Sequence, residues 1–296
     1  MRKALETAVG WVVYGFLWSV NALYALLPAR RAYGFGCGFA AMLYPFFRKR
    51  RALSVDNILK AHITQDRAEA ERMAKKAFCH LVGHIFEALK VPGVVTKDNW
   101  REHIDFSEGS PAAAKLLLEE TDKPIILVSS HHGVWEAATN VLSFARPMIA
   151  IARTMNNPYA AKWMKRHHFR GPVTVIDKKN GFTHAIMDQW KRESAAMTIL
   201  IDQHYTKGME LKFMGRRALC FTSATRLAIK TGYPIVVGSF VRKGPFQYAL
   251  VGGAPVSFPK GTDIGEATQL LNDRLEEAIR RYPEQYLWMH RRWRLD

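Results

Sequence analysis

The sequence predicts an α/β fold, with a mostly parallel central sheet flanked by helices and an N-terminal membrane-anchoring helix ahead of it. Three observations carry this expectation. From Pro124 onward, short β-rich runs alternate with helical ones: PIILVSS, MIAIAR, VTVI and MTILID are each followed or separated by a segment of helical character. Alternation of that kind marks βαβ units. From Thr7 to Ala29 there is no charged residue, and roughly 20 apolar residues suffice to cross a bilayer core. A hydrophobic content of 48% over 296 residues supplies material for a sizeable buried core.

Along the chain, a cleaved signal peptide competes with the anchor. Arg2 and Lys3 form a short basic start, and Ala25 and Ala29 offer small residues near a cleavage position. The apolar run is longer than a signal core, with Trp11, Tyr14, Trp18 and Tyr24 spread through it, which favours an uncleaved anchor. Arg30, Arg31 and the run Arg48 to Arg51 then hold the following chain on the cytoplasmic side. A second apolar stretch, Ala32 to Phe47, is too short to span and aromatic enough to lie in the interface. Residues 1–52 therefore read as an anchor with a basic juxtamembrane segment, and 53–296 as one further domain.

Glu69 to Val91 reads as an amphipathic helix, with Met73, Ala77, Leu81, Ile85, Ala88 and Leu89 on one face. His80 and His84, four apart on it, lack a third ligand and read as a packed or half-exposed pair. Ser110 and Pro111 open a helix to about Glu120. PIVVGSF and QYALVGG add two strands, the second antiparallel because only a KGP turn separates them. Thr262 to Arg281 is the last long helix, and no internal repeat or linker divides the region.

Forty-three Lys and Arg against 26 Asp and Glu give a net charge of +17, so the preferred partner is anionic: nucleic acid, a phospholipid surface or a phosphorylated substrate. The aromatics gather in the anchor and in apolar runs instead of alternating with basic residues, which disfavours nucleic acid. Cys37, Cys79 and Cys220 have neither zinc nor redox spacing and read as reduced thiols in a cytosolic setting. No metal site is expected. There is no GxSxG elbow and no P-loop.

In a parallel sheet, ligands bind at the carboxyl ends of the strands. That rule gathers His131 and His132 after ILVSS, Arg153 after MIAIA, and Asp202 at the end of MTILID. A helix starting near Gly133 leaves both histidines in the turn before Glu136. If the helix reached back to His132, that residue would face Glu136 one turn on; if the turn folded over the helix start, His131 would reach it instead. A histidine held by a carboxylate has a fixed tautomer and a stabilised imidazolium, as a general base for a hydroxyl requires. The plainer alternative is a histidine capping the helix, with Glu136 facing its positive end.

The segment His131-His132-Gly133-Val134-Trp135-Glu136 resembles the HX4E motif of the bacterial late acyltransferases of lipid A biosynthesis, within the wider lysophospholipid acyltransferase superfamily. Four further blocks are similar in the same order: Ile151 to Pro158, Ile199 to His204, Gly215 to Val237, and Pro283 to Trp293. The resemblance covers nearly the whole chain. It implies that His131 and Glu136 are catalytic and that Arg153 and Asp202 bind or position substrate, with His132 a neighbour. It implies acyl transfer to a lipid hydroxyl from a carrier thioester, acyl carrier protein or CoA serving as co-substrate with no resident cofactor. The setting it implies is the bacterial inner membrane, with the catalytic domain on the cytoplasmic side. Another lysolipid acceptor, or an anionic-lipid-binding protein without chemistry, are the alternatives.

Overall fold

The computed structural model describes Tyr24 and residues 26–152, 172–177 and 182–295. Most of the stretch read as an anchor, and Arg153, lie outside the described residues. Among the described residues no helix is long and apolar enough to cross a membrane.

The expected alternation is present. Strand β2 (Ile125–Ser129) is buried at every position, which is what a parallel strand covered on both faces requires. It is flanked by β5 (Ala196–Leu200) and β8 (Ile235–Gly244), both parallel to it. Beyond β5 come β3 (Met148–Ala152) and β4 (Val173–Asp177), again parallel. On the other side β9 (Gln247–Gly252) pairs antiparallel with β8, as the KGP turn predicts, and carries the two-residue β1 (Ile104–Asp105) at its edge. The seven strands run in the order β1-β9-β8-β2-β5-β3-β4.

Alternate side chains feed two cores. Ile125 and Leu127 pack with Leu117, Val141, Leu142 and Leu250 on one face. Ile126 and Val128 pack with Trp190, Leu271 and Leu275 on the other. The covering helices are α4 (Pro111–Leu118), α5 (Trp135–Leu142), α6 (His184–Arg192), α7 (Ser223–Thr231) and α8 (Ile264–Arg281). Asp263 caps α8 by accepting from the Glu266 amide at 2.9 Å. In α4 the Ser110 side chain makes no capping bond, and Pro111 alone marks the start.

The helical layer adds three features to the sequence reading. Ala32 to Phe47 includes a helix, α1 (Ala32–Leu43), which packs on α3 (Arg67–Val94). Its buried stripe is small, Ala32, Gly36 and Ala40, and a Cβ on Gly36 would stand 2.8 Å from the Cα of Gly83, so the two backbones nearly touch. The basic run from Arg48 is the first turn of α2 (Arg48–Lys60), a helix that continues through residue 52. Helix α3 passes Pro92 before ending; the Val95 amide donates to the Val91 carbonyl at 2.8 Å and closes the turn that proline leaves one bond short. A hairpin, β6 (Met209–Phe213) and β7 (Arg216–Cys220), adds a separate two-stranded sheet. Its turn places Met214 at φ 52° and Gly215 at φ 74°, the left-handed pair of a tight hairpin.

One buried ion pair ties the helical layer to the sheet. Glu87 on α3 accepts two bonds at 3.1 Å from Nε of Arg242 on β8 and one at 2.8 Å from its Nη2, and Tyr248 on β9 donates to it at 3.2 Å. The Arg242 guanidinium also lies 3.7 Å above the Tyr33 ring of α1. Removing one partner strands a buried charge, so Arg242→Met should cost about 3–5 kcal/mol. Glu87→Gln with Arg242→Met should recover part of that loss. Urea denaturation of the two variants checks both.

Candidate active site

The site follows from strand register. β2 and β5 pair with Ser129 opposite Leu200, and the Ile201 amide donates to the Ser129 carbonyl at 3.1 Å. The register thus continues past both strand ends and brings the residues two further on together. His131 Nδ1 lies 2.9 Å from Asp202 Oδ1, and the His131 amide donates to Asp202 Oδ2 at 3.0 Å. Asp202 is 2% exposed and the His131 side chain 21%.

Burial pushes the Asp202 carboxyl upward, but the charge and hydrogen bonds of His131, with Arg292 nearby, outweigh it and hold the group below the usual carboxylate range. An ionised carboxylate only accepts, so Nδ1 of His131 carries the proton and donates. Nε2 is left with its lone pair. The Gln203 side-chain nitrogen stands 3.2 Å from it and donates to it. The pairing of a buried carboxylate, an oriented imidazole and a basic nitrogen at the strand ends is the arrangement of a general base.

The two adjacent histidines now separate. His132 is 0% exposed, donates from Nε2 to the Tyr282 carbonyl at 3.0 Å, and has no partner at Nδ1. Burial lowers its pKa to about 4, so it is a neutral structural ring. Gly133 turns the chain between the histidines and α5 with φ +69°, and a Cβ there would stand 2.0 Å from the Phe240 carbonyl oxygen; only glycine fits. The Val134 amide donates to that same carbonyl at 2.7 Å. The Gly133 carbonyl accepts from His80 Nε2 at 3.0 Å, which gives one member of the packed pair on α3 a role in holding the turn. Among the described residues no group of three or more His, Cys, Asp or Glu is placed to hold a metal.

Glu136 is half-buried in the first turn of α5, at its positive end. The carboxylate on Nδ1 of His131 is that of Asp202, whereas the sequence points to Glu136 as the carboxylate for the histidines and to Asp202 as a residue that binds or positions substrate. The two residues stand 71 positions apart, and only the pairing of β2 with β5 brings them together. Gln203, Tyr286, His290 and Arg292 were missed as site residues. Tyr286 is buried beside Asp202; burial and then that carboxylate's charge keep its phenol far above its ordinary value. His290 accepts from the His204 amide at 3.1 Å, and burial lowers its pKa to about 4. Arg292 is 2% exposed and donates to the Leu219 carbonyl at 2.6 Å. The only signal for these four was their place in blocks flanking Asp202 and ending the chain.

The backbone of the turn is also held by the C-terminal segment. The Leu287 amide donates to the His131 carbonyl and the Gly133 amide to the Gln285 carbonyl, both at 3.0 Å. With this geometry in view, the whole-chain comparison is decisive: the family model for bacterial lipid A biosynthesis acyltransferases matches residues 1–295. The chain belongs to that family. It is 24% identical over 296 residues to a lipid A biosynthesis palmitoleoyltransferase of Escherichia coli K12, and equally to a lipid A biosynthesis acyltransferase of Shigella flexneri. It is 22% identical over 294 residues to a lipid A biosynthesis lauroyltransferase of Escherichia coli K12. Each alignment covers 96% of this chain and 90% of the relative.

Family membership gives His131 its context, and the turn around it makes two predictions. Gly133→Ala adds a methyl against backbone at a left-handed position, so it should lower the urea midpoint sharply and abolish whatever activity the site has. Acid should also loosen the fold. Histidines in an unfolded chain titrate near 6.5, whereas burial holds His80 at about 3 and His132 and His290 at about 4. Between those values the unfolded chain binds more protons, so stability should fall as pH drops from about 6.5 toward 4. Denaturation midpoints across that window check the slope, which His132→Asn should flatten.

Proposed function

We propose that this protein transfers a fatty acyl chain from an acyl carrier protein thioester, or its CoA counterpart, to a hydroxyl of a lipid A precursor. The observation that carries the reading is the buried Asp202 carboxylate on Nδ1 of the partly exposed His131. The acceptor hydroxyl takes the place of Gln203 at Nε2 of His131 and gives up its proton to that nitrogen as its oxygen attacks the thioester carbonyl. Asp202 holds the imidazole in the required tautomer and stabilises the imidazolium that forms. Collapse of the tetrahedral species forms the oxygen ester and breaks the carbon–sulfur bond, and the departing thiolate takes up the proton. No acyl-enzyme is required.

Glu136 adds negative charge near the imidazolium from the start of α5. Arg153 binds a substrate phosphate or the developing oxyanion, for which a guanidinium fork is suited. The excess of basic residues matches a phosphorylated acceptor, an anionic leaflet and an acidic carrier protein. The enzyme acts at the inner membrane, held by its N-terminal apolar stretch with the catalytic domain on the cytoplasmic side.

His131→Ala should abolish acyl transfer in a protein that stays folded. Asp202→Asn should lower kcat by about 10²–10⁴, the range for losing an oriented general base. His132→Ala should retain measurable activity. Lipid mass spectrometry of a strain lacking the protein should find lipid A missing one acyl chain; intact lipid A with altered phospholipids would redirect the reading to another lysolipid, and full activity in His131→Ala would overturn the mechanism.

A further inference from the structure

Helix α1 is apolar all round, and it turns the wrong side outward. Its small residues face α3, whereas Phe35 and Phe39 flank that stripe, resting one ring edge on Phe86 of α3 yet 52% and 41% exposed, and Met42 beyond them is 60% exposed. Phe46, 80% exposed, and Phe47, 42% exposed, extend this ridge through the 3₁₀ turn Tyr44–Phe46 to the start of α2. A helix that meets only water on one side carries polar residues there, and clustered exposed aromatics mark a surface that something covers.

The ridge ends where a basic groove begins. Between α2 and α3 lies a cavity of about 720 Å³, lined by Tyr44, Arg48, Arg51, Arg67, Arg72 and Lys75 among others. Glu71 lies 3.3 Å from Arg67, and Asp66 lies 3.8 Å from Arg72, so those charges are largely offset. Arg48, Arg51 and Lys75 give the groove its positive excess. The Arg51 guanidinium stacks 4.6 Å above the Tyr44 ring, which pre-orders it beside the end of the ridge.

An occupant must therefore present an apolar interior and, directly beside it, an anionic surface. We infer that the α1 ridge and the α2–α3 groove form a second bilayer contact, in which Phe35, Phe39, Met42 and Phe46 enter the acyl region and the groove takes the phosphate of an anionic phospholipid headgroup. A soluble acidic protein would match the groove and leave the ridge uncovered. Aromatic and basic residues in this adjacency are what an interfacial helix uses. The contact is separate from acyl transfer and stands on this surface alone, so its test needs neither donor nor acceptor.

Flotation of the full-length protein with vesicles of phosphatidylcholine, with or without phosphatidylglycerol, reads the contact directly. Arg48→Gln/Arg51→Gln/Lys75→Gln should lose about fivefold in affinity for the anionic vesicles per cation removed, the effect of one basic side chain near such a surface. Lys97→Gln/Lys191→Gln/Lys260→Gln, with the same net charge, should keep it. Phe35→Ser/Phe39→Ser/Phe46→Ser, at exposed positions whose change leaves the core intact, should weaken binding to both vesicle types. Anionic vesicles should slow hydrogen exchange in residues 32–52 of the unaltered protein. The inference is overturned if the groove variant keeps its anionic preference, if the matched-charge control loses as much, or if 32–52 exchange is slowed by polyglutamate but not by vesicles. Absence of acyl transfer by the unaltered protein, with its vesicle binding intact, would count against the catalytic reading only.

Discussion

The parallel pairing of β2 with β5 is the constraint on which the site depends. Each strand ends in a polar residue that would be costly alone: a carboxylate in the core or an imidazole without orientation. Held in register, the two ends solve each other's problem. The His131 backbone and ring donate to the two oxygens of Asp202, which keeps the carboxylate ionised despite its burial and fixes which imidazole nitrogen stays basic. A slip of one residue in this pairing would turn every side chain of the strand to the opposite face, so the site is specified by the same contacts that build the core.

Around that pair the structure accepts local costs. Gly133 takes a left-handed conformation against the Phe240 carbonyl, and His132 keeps a buried nitrogen without a partner, which costs about 1–3 kcal/mol. Both lie in the turn that aims His131, where rigidity matters more than the local optimum. The Glu87–Arg242 pair does similar work one layer away, where it fixes α3 and hence His80, whose Nε2 supports the turn from behind.

The sequence made the strands and the strand-end location readable because β-branched runs alternate with helical segments, and the KGP turn was enough to reverse β9. The choice between His131 and His132 could not be read from spacing, because both stand before the helix and only tertiary burial separates them. Asp202 was visible as a site residue but not as the partner of His131, since inter-strand register leaves no local trace. α1 and α2 were obscured for a different reason. The small stripe Ala32, Gly36 and Ala40 is buried while Phe35, Phe39 and Met42 stay largely exposed, which inverts the pattern used to recognise a packed helix. Arg292 gives no sign of its burial in the sequence, because its partners, the Leu219 carbonyl and the Cys220 sulfur, lie on the distant β6–β7 hairpin.

The bonds that Leu287 donates to His131 and Gly133 donates to Gln285 close over long sequence separations, and Asn57 reaches further still to the Trp288 carbonyl at 2.7 Å. Contacts of such high order form late, because the loops they close are entropically expensive until the rest of the chain is in place. A ribosome releases the N-terminal side first. The turn that carries His131 therefore cannot be completed until the segment around Gln285 and Leu287 has been synthesised and has docked beside it.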